Sequence, residues 1–116
     1  MATTYNFPDH RKGYTIEAIT FTITVNAIAL NLTGASAKMD VRDKEKHNKL
    51  KRYTTVASGG LTIVSPATDG KLRFDEKVVD IEAGTHDYDI EITLADSSVK
   101  TYILGTWKII QDITYG

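Results

Sequence analysis

The most constraining stretch of this chain runs from Gly84 to Tyr115, GTHDYDIEITLADSSVKTYILGTWKIIQDITY. Tyr88, Ile90, Ile92 and Leu94 alternate with Asp89, Glu91 and Thr93, and a period of two places the apolar set on one face of an extended strand. Ala95 to Ser98 are small or polar turn formers. Val99 to Ile110 then continue as a β-branched and aromatic segment holding the only tryptophan, Trp107. The two runs predict one long antiparallel hairpin with a face that the rest of the chain must cover.

Upstream, the same period recurs in shorter pieces. From Thr15 to Val25 the residues Ile19, Phe21, Ile23 and Val25 alternate with threonines, which predicts a single long strand. Asn26-Ala27 is a polar turn, and Ile28, Leu30 and Leu32 return from it as a hairpin. Ala35, Ala37, Met39 and Val41 form the inward set of another strand, whose alanines imply close approach of a neighbouring layer. Asp43 to Arg52, DKEKHNKLKR, has no apolar stripe and reads as a solvated loop or hairpin tip. Leu61 to Val64 and Lys71 to Phe74 read as strands on either side of the dense turn signal Ser65-Pro66-Ala67-Thr68-Asp69-Gly70. Pro8 cannot donate to a ladder, so residues 1–13 are expected to be an N-terminal arm rather than a central strand.

About eight strands at short spacings, with no amphipathic helix between them, predict an all-β fold, an antiparallel sandwich or small barrel, of which an antiparallel immunoglobulin-like β-sandwich is favoured. The 116 residues are expected to form one domain, with the sandwich core over 14–114. With 14 basic and 15 acidic residues the chain has no global field for nucleic acid or an anionic membrane. There is no cysteine for a disulfide, thiol nucleophile or thiolate metal site. The charged N-terminal stretch lacks the apolar run of a signal peptide, and no run of about 18 apolar residues occurs. A soluble protein without an export signal is expected.

Residue patterns for catalysis are equally sparse. His10, His47 and His86 are far apart and read as surface histidines rather than metal ligands. His86, Asp87 and Asp89 with Asp80 and Glu82 lack the glycine-punctuated loop of a calcium site, and the alternating Asp87, Asp89 and Glu91 fit the wet face of an edge strand. No Gly-x-Ser-x-Gly elbow is present, and Ser58-Gly59-Gly60 lacks the lysine of a phosphate-binding loop. Lys44, Lys46, Lys49, Lys51 and Arg52 are diluted by Asp43 and Glu45 and read as a solvated patch rather than a nucleic-acid site. No catalytic, cofactor or metal residue is assigned, and no enzyme, small-molecule substrate, nucleic acid or membrane is expected. On strict alternation Tyr102 and Leu104 share a face opposite Ile103, so with Ile103 in the core they form an exposed apolar pair. Together with Trp107 they are the candidate partner-binding residues. A carbohydrate-binding or adhesion module using Tyr102 and Trp107 is the alternative reading.

Met39, the Gly59-Gly60-Leu61-Thr62-Ile63 turn and strand, Gly70-Lys71-Leu72-Arg73-Phe74, Gly84 with Tyr88-Asp89-Ile90, and Gly105-x-Trp107-x-Ile109 before Asp112-Ile113-Thr114 carry a resemblance over residues 14–114. In these motifs the chain resembles the immunoglobulin-like domains of tailed-bacteriophage tail and baseplate proteins, in particular the N-terminal domain of the baseplate upper protein. Two positions depart from that pattern: His86 stands where an aromatic is common, and Ser97-Ser98 where Asp-Gly would form the hairpin turn. The resemblance implies a non-enzymatic structural protein of a bacteriophage or prophage virion, made in the bacterial cytoplasm. It would dock a host-binding device through contacts with other tail or baseplate proteins, or with further copies of itself.

Overall fold

The computed structural model describes residues 3–43, 49–56 and 59–110. Among them the chain forms β1 (Thr3–Thr4), β2 (His10–Arg11), β3 (Thr15–Ile16), β4 (Ile19–Thr22), β5 (Thr24–Val25), β6 (Ile28–Ala29) and β7 (Ser36–Asp43). It continues through β8 (Lys49–Thr54), β9 (Leu61–Ile63), a single 3-10 turn at Ala67–Asp69, β10 (Lys71–Phe74), β11 (Lys77–Val78), β12 (Gly84–Thr93) and β13 (Val99–Ile110). The fold is all-β. Its largest sheet has the order β1, β13, β12, β7, β8, with β2 also on β13, and a three-stranded sheet has the order β4, β10, β9.

The long hairpin is the centre of this arrangement. β12 and β13 pair antiparallel along their whole length, and β7 pairs antiparallel with the other side of β12. Tyr88, Ile90, Ile92, Trp107 and Ile109 point inward from it and are almost wholly buried. Rings join the two sheets: Phe74 of β10 meets Trp107 of β13 at 5.8 Å and Tyr53 of β8 at 5.1 Å, both edge to face. Buried residues from Phe7 to Ile109 form one hydrophobic cluster between the sheets.

Three expectations need correction. Thr15 to Val25 is three strands rather than one, because the chain changes partner twice: β3 pairs with β11, β4 with β10, and β5 with β6. The β5–β6 turn places Asn26 and Ala27 at φ of 53° and 64°, the left-handed pair of a tight hairpin. Second, the pairing is not purely antiparallel. The N-terminal arm runs parallel to β13, from Thr3 opposite Ile103 to Arg11 opposite Ile110, and Pro8 interrupts it where an N–H is missing. Third, Lys49 to Arg52 belong to a strand, β8, that pairs with β7; Lys44, Lys46 and His47 lie outside the described residues.

Candidate docking surface

The face of the large sheet that points away from the core carries its charges in cross-strand rows. One row places Arg52 of β8, Asp40 of β7, Asp89 of β12 and Leu104 of β13 side by side. The next places Arg42, Asp87 and Thr106 together. A third pairs Lys38 with Glu91, whose charged atoms are 3.3 Å apart. Directly opposite residues in a sheet are close enough to interact, so each row is a unit.

Asp40 is the most enclosed charge on this face, only 6% exposed. Arg52 holds it with both Nε to Oδ1 at 2.6 Å and Nη2 to Oδ2 at 3.0 Å, and Arg42 approaches the same carboxylate at 3.5 Å. Asp89 is treated differently. Burial pushes its carboxyl above the usual range, the neighbouring Asp40 charge adds to the effect, and Arg42 partly offsets it. Among the described residues no side-chain hydrogen bond or ion pair reaches the Asp89 or Asp87 carboxylate.

These two carboxylates line a depression of about 360 Å³ together with Asp40, Arg42, Tyr88, Leu104, Gly105 and Thr106, and with Thr4 and Asn6 of the arm. Its arm-side wall is fixed: Asn6 Oδ1 accepts the Thr106 backbone N–H at 3.1 Å and the Thr106 hydroxyl at 3.2 Å. The site therefore has an apolar shoulder at Leu104 and a charged floor in which Asp40, Asp87 and Asp89 outnumber Arg42.

Of the three residues singled out from sequence, Leu104 alone lies on this surface, 40% exposed. Trp107 is wholly buried and donates its indole N–H to His10 Nδ1 at 3.0 Å. Tyr102 is also buried, because a bulge between Ile90 and Glu91 inserts one extra residue into β13 and turns Tyr102 toward the core beside Ile103. The exposed Tyr102–Leu104 pair is thus not formed, and neither aromatic ring is presented as a platform for sugar stacking.

The histidines correct another expectation. His86 is buried, with Nε2 2.7 Å from the Glu82 carbonyl, and His10 is half-buried against Trp107. Asp87 and Asp89 face outward while His86 faces inward, so the pleat separates the acidic neighbourhood of β12 from that imidazole. Lys51 is paired with Asp80 at 3.1 Å. Among the described residues no three His, Cys, Asp or Glu side chains gather to hold a metal ion, and no helix is long and apolar enough to cross a membrane.

Sequence reasoning missed the row through Asp40. The signal was present, since Lys38, Asp40 and Arg42 occupy the polar positions of the alternation that puts Met39 and Val41 in the core. No protein-family model matches the chain, and no curated protein matches it.

Proposed function

We propose that this domain is a non-enzymatic docking module of a bacteriophage or prophage tail or baseplate, and that it grips a neighbouring protein with the outer face of β7, β12 and β13. The observation that carries the docking reading is the state of Leu104 and Asp89. An apolar side chain stands exposed beside a half-buried carboxylate that forms no ion pair with a described cation, on a face where Asp40 and Glu91 are paired with Arg52, Arg42 and Lys38. A partner offering an apolar contact beside a basic side chain satisfies both.

The strand order supports an immunoglobulin-like reading. In such domains one sheet has the order A, B, E, D and the other C, F, G. Here β4, β10 and β9 take the places of B, E and D, and β7, β12 and β13 those of C, F and G, with β8 as an added strand on C. The first strand has left B and joined the far side of G as the parallel arm. Many functions use this architecture, so the phage assignment rests on the turn-glycine and strand motifs, not on the fold.

The test is an antibody against the domain applied to induced phage particles and read by immunogold electron microscopy. Label at the tail tip or baseplate is expected, and a Leu104→Asp variant that folds normally is expected to be missing from the particles. Plentiful unlabelled particles with the protein free in the lysate would overturn the reading.

A further inference from the structure

We propose that the N-terminal arm is held by an acid-labile latch: the hydrogen bond from Trp107 to His10 keeps the arm on β13 at neutral pH and is lost when His10 takes up a second ring proton. The chemistry follows from the donor. An indole N–H can only donate, and an imidazole nitrogen accepts only while it carries no proton. The 3.0 Å contact from Trp107 Nε1 to His10 Nδ1 therefore requires neutral His10 with its proton on Nε2. Protonation at Nδ1 sets N–H against N–H and leaves a wholly buried indole donor without an acceptor, a state that folded proteins avoid.

The arm is also held by Asn6 on Thr106, by the Tyr88 hydroxyl on the Tyr5 carbonyl, and by ring contacts of Tyr5 and Phe7, none of which titrates near neutral pH. Its backbone donates from Tyr5 to Leu104, from Phe7 to Thr106 and from Lys12 to Ile110, at 2.8, 2.9 and 3.0 Å. Phe7 is the buried anchor, 4.8 Å from Trp107 and 4.9 Å from Tyr88 between ring centres. His10 lies edge-on to the same indole at 5.9 Å, so the latch and the anchor share one partner. Beyond Lys12, Gly13 is fixed to the body through its N–H to the Val79 carbonyl, at a φ of +90° that glycine adopts readily.

The charged and titratable groups nearby are Asp9, Arg11 and Lys12 on the arm, Lys108 beside Trp107 on β13, His86 opposite Trp107 on β12, and Asp43 opposite His86 on β7. Burial lowers the pKa of His10, with the Pro8 carbonyl and the Asp9 charge opposing. A docked His10 thus binds a proton less readily than a free one. Acidification through about 6.5, the ordinary value for histidine, favours the released arm. Release uncovers the backbone edge of β13 from Ile103 to Ile110, where another extended segment can pair. The latch itself does not depend on the docking reading.

Amide hydrogen exchange of the intact chain at pH 5.0 and 7.5, corrected for intrinsic rates, tests it. Protection of the Tyr5, Phe7 and Lys12 amides is expected to fall at least tenfold at pH 5.0 while β12 amides hold. Asn can accept from the indole without titrating, so His10→Asn is expected to abolish the pH dependence. Trp107→Phe removes the donor and should abolish it as well, with His86 still in place. Equal arm protection at both pH values would overturn the latch. So would a joint loss of arm and β12 protection, or a pH dependence that survives in His10→Asn. Should Trp107→Phe not fold, His10→Asn decides alone.

Discussion

The phenol of Tyr88 donates its hydroxyl proton to the backbone carbonyl of Tyr5, 83 residues earlier in the chain. Tyr88 is at the middle of β12 and almost wholly buried, so this bond ties the arm directly to the central hairpin. Tyr88→Phe keeps the ring and its packing against Phe7 but removes the donor. A loss of about 1 kcal/mol is expected. In a domain of this size that is a fall of about 4 °C in Tm by circular dichroism. Exchange at the Phe7 amide should accelerate more than exchange within β12.

Gly105 is directly opposite Tyr88 on β13 and leaves the space through which the arm passes. A Cβ on residue 105 would fall 1.9 Å from the Tyr5 carbonyl oxygen, and that obstacle is backbone, which cannot swing aside. Gly105→Ala is expected to cost about 2–4 kcal/mol by displacing the arm. Trp107 emission should shift to the red as Phe7 leaves it, with the far-ultraviolet signal of the sheets retained. An Ala variant with wild-type Tm and emission would show that the arm does not take this path.

The β12–β13 hairpin was legible because its period of two is uninterrupted on β12 and its turn residues are unambiguous. Tyr102 was misread because strict alternation assumes equal strand lengths, and one inserted residue reverses the facing of its neighbours. The arm was legible only as something other than a central strand. Its parallel pairing joins residues about a hundred positions apart, as Asn6 and Thr106 do, and a contact so distant leaves no local periodicity. Asp40 was placed on the correct face by alternation, but its enclosure depends on Arg52 and Arg42 arriving from two strands, which a one-strand pattern does not contain.

Lys77 supplies a prediction in the alkaline range. Its ammonium lies 3.8 Å from the centre of the Phe74 ring and 5.0 Å from that of Tyr53, and it donates to the Gly60 carbonyl at 3.0 Å and to that of Asp75. Burial lowers its pKa to about 8, with the Asp75 charge opposing. The carbonyls and ring faces offset part of the burial cost. An unfolded lysine keeps its proton to about 10.4, so between these values the unfolded state binds more protons and stability rises with pH. The urea midpoint is expected to be higher at pH 9.5 than at pH 7.0. Lys77→Met should flatten that slope and stabilise the protein at pH 7.0 by on the order of 1 kcal/mol, a figure reduced for the side chain's partial exposure. A midpoint that falls between pH 7.0 and 9.5 in the wild type but not in the variant would reverse the assignment.

Asp89 carries the last prediction, in which stability and docking change in opposite directions. Its carboxyl is held above the usual range by burial and by Asp40, with Arg42 opposing. The folded state therefore keeps that proton to higher pH than the unfolded state does. As pH rises through the folded value the native state loses this advantage, and at neutral pH ionised Asp89 is a net cost. Asp89→Asn has nearly the same shape and no charge. It is expected to raise Tm by about 2 °C, from about 0.5 kcal/mol after allowance for solvent screening. On the proposed docking face the same carboxylate meets a basic side chain of the partner, so the variant should bind more weakly while being more stable, as is common where a site holds an unfavourable group for use. Thermal denaturation and incorporation into particles separate the two effects. A lower Tm in Asp89→Asn would mean that the carboxylate is already satisfied within the chain, and the depression beside Leu104 would lose its claim to a cationic partner.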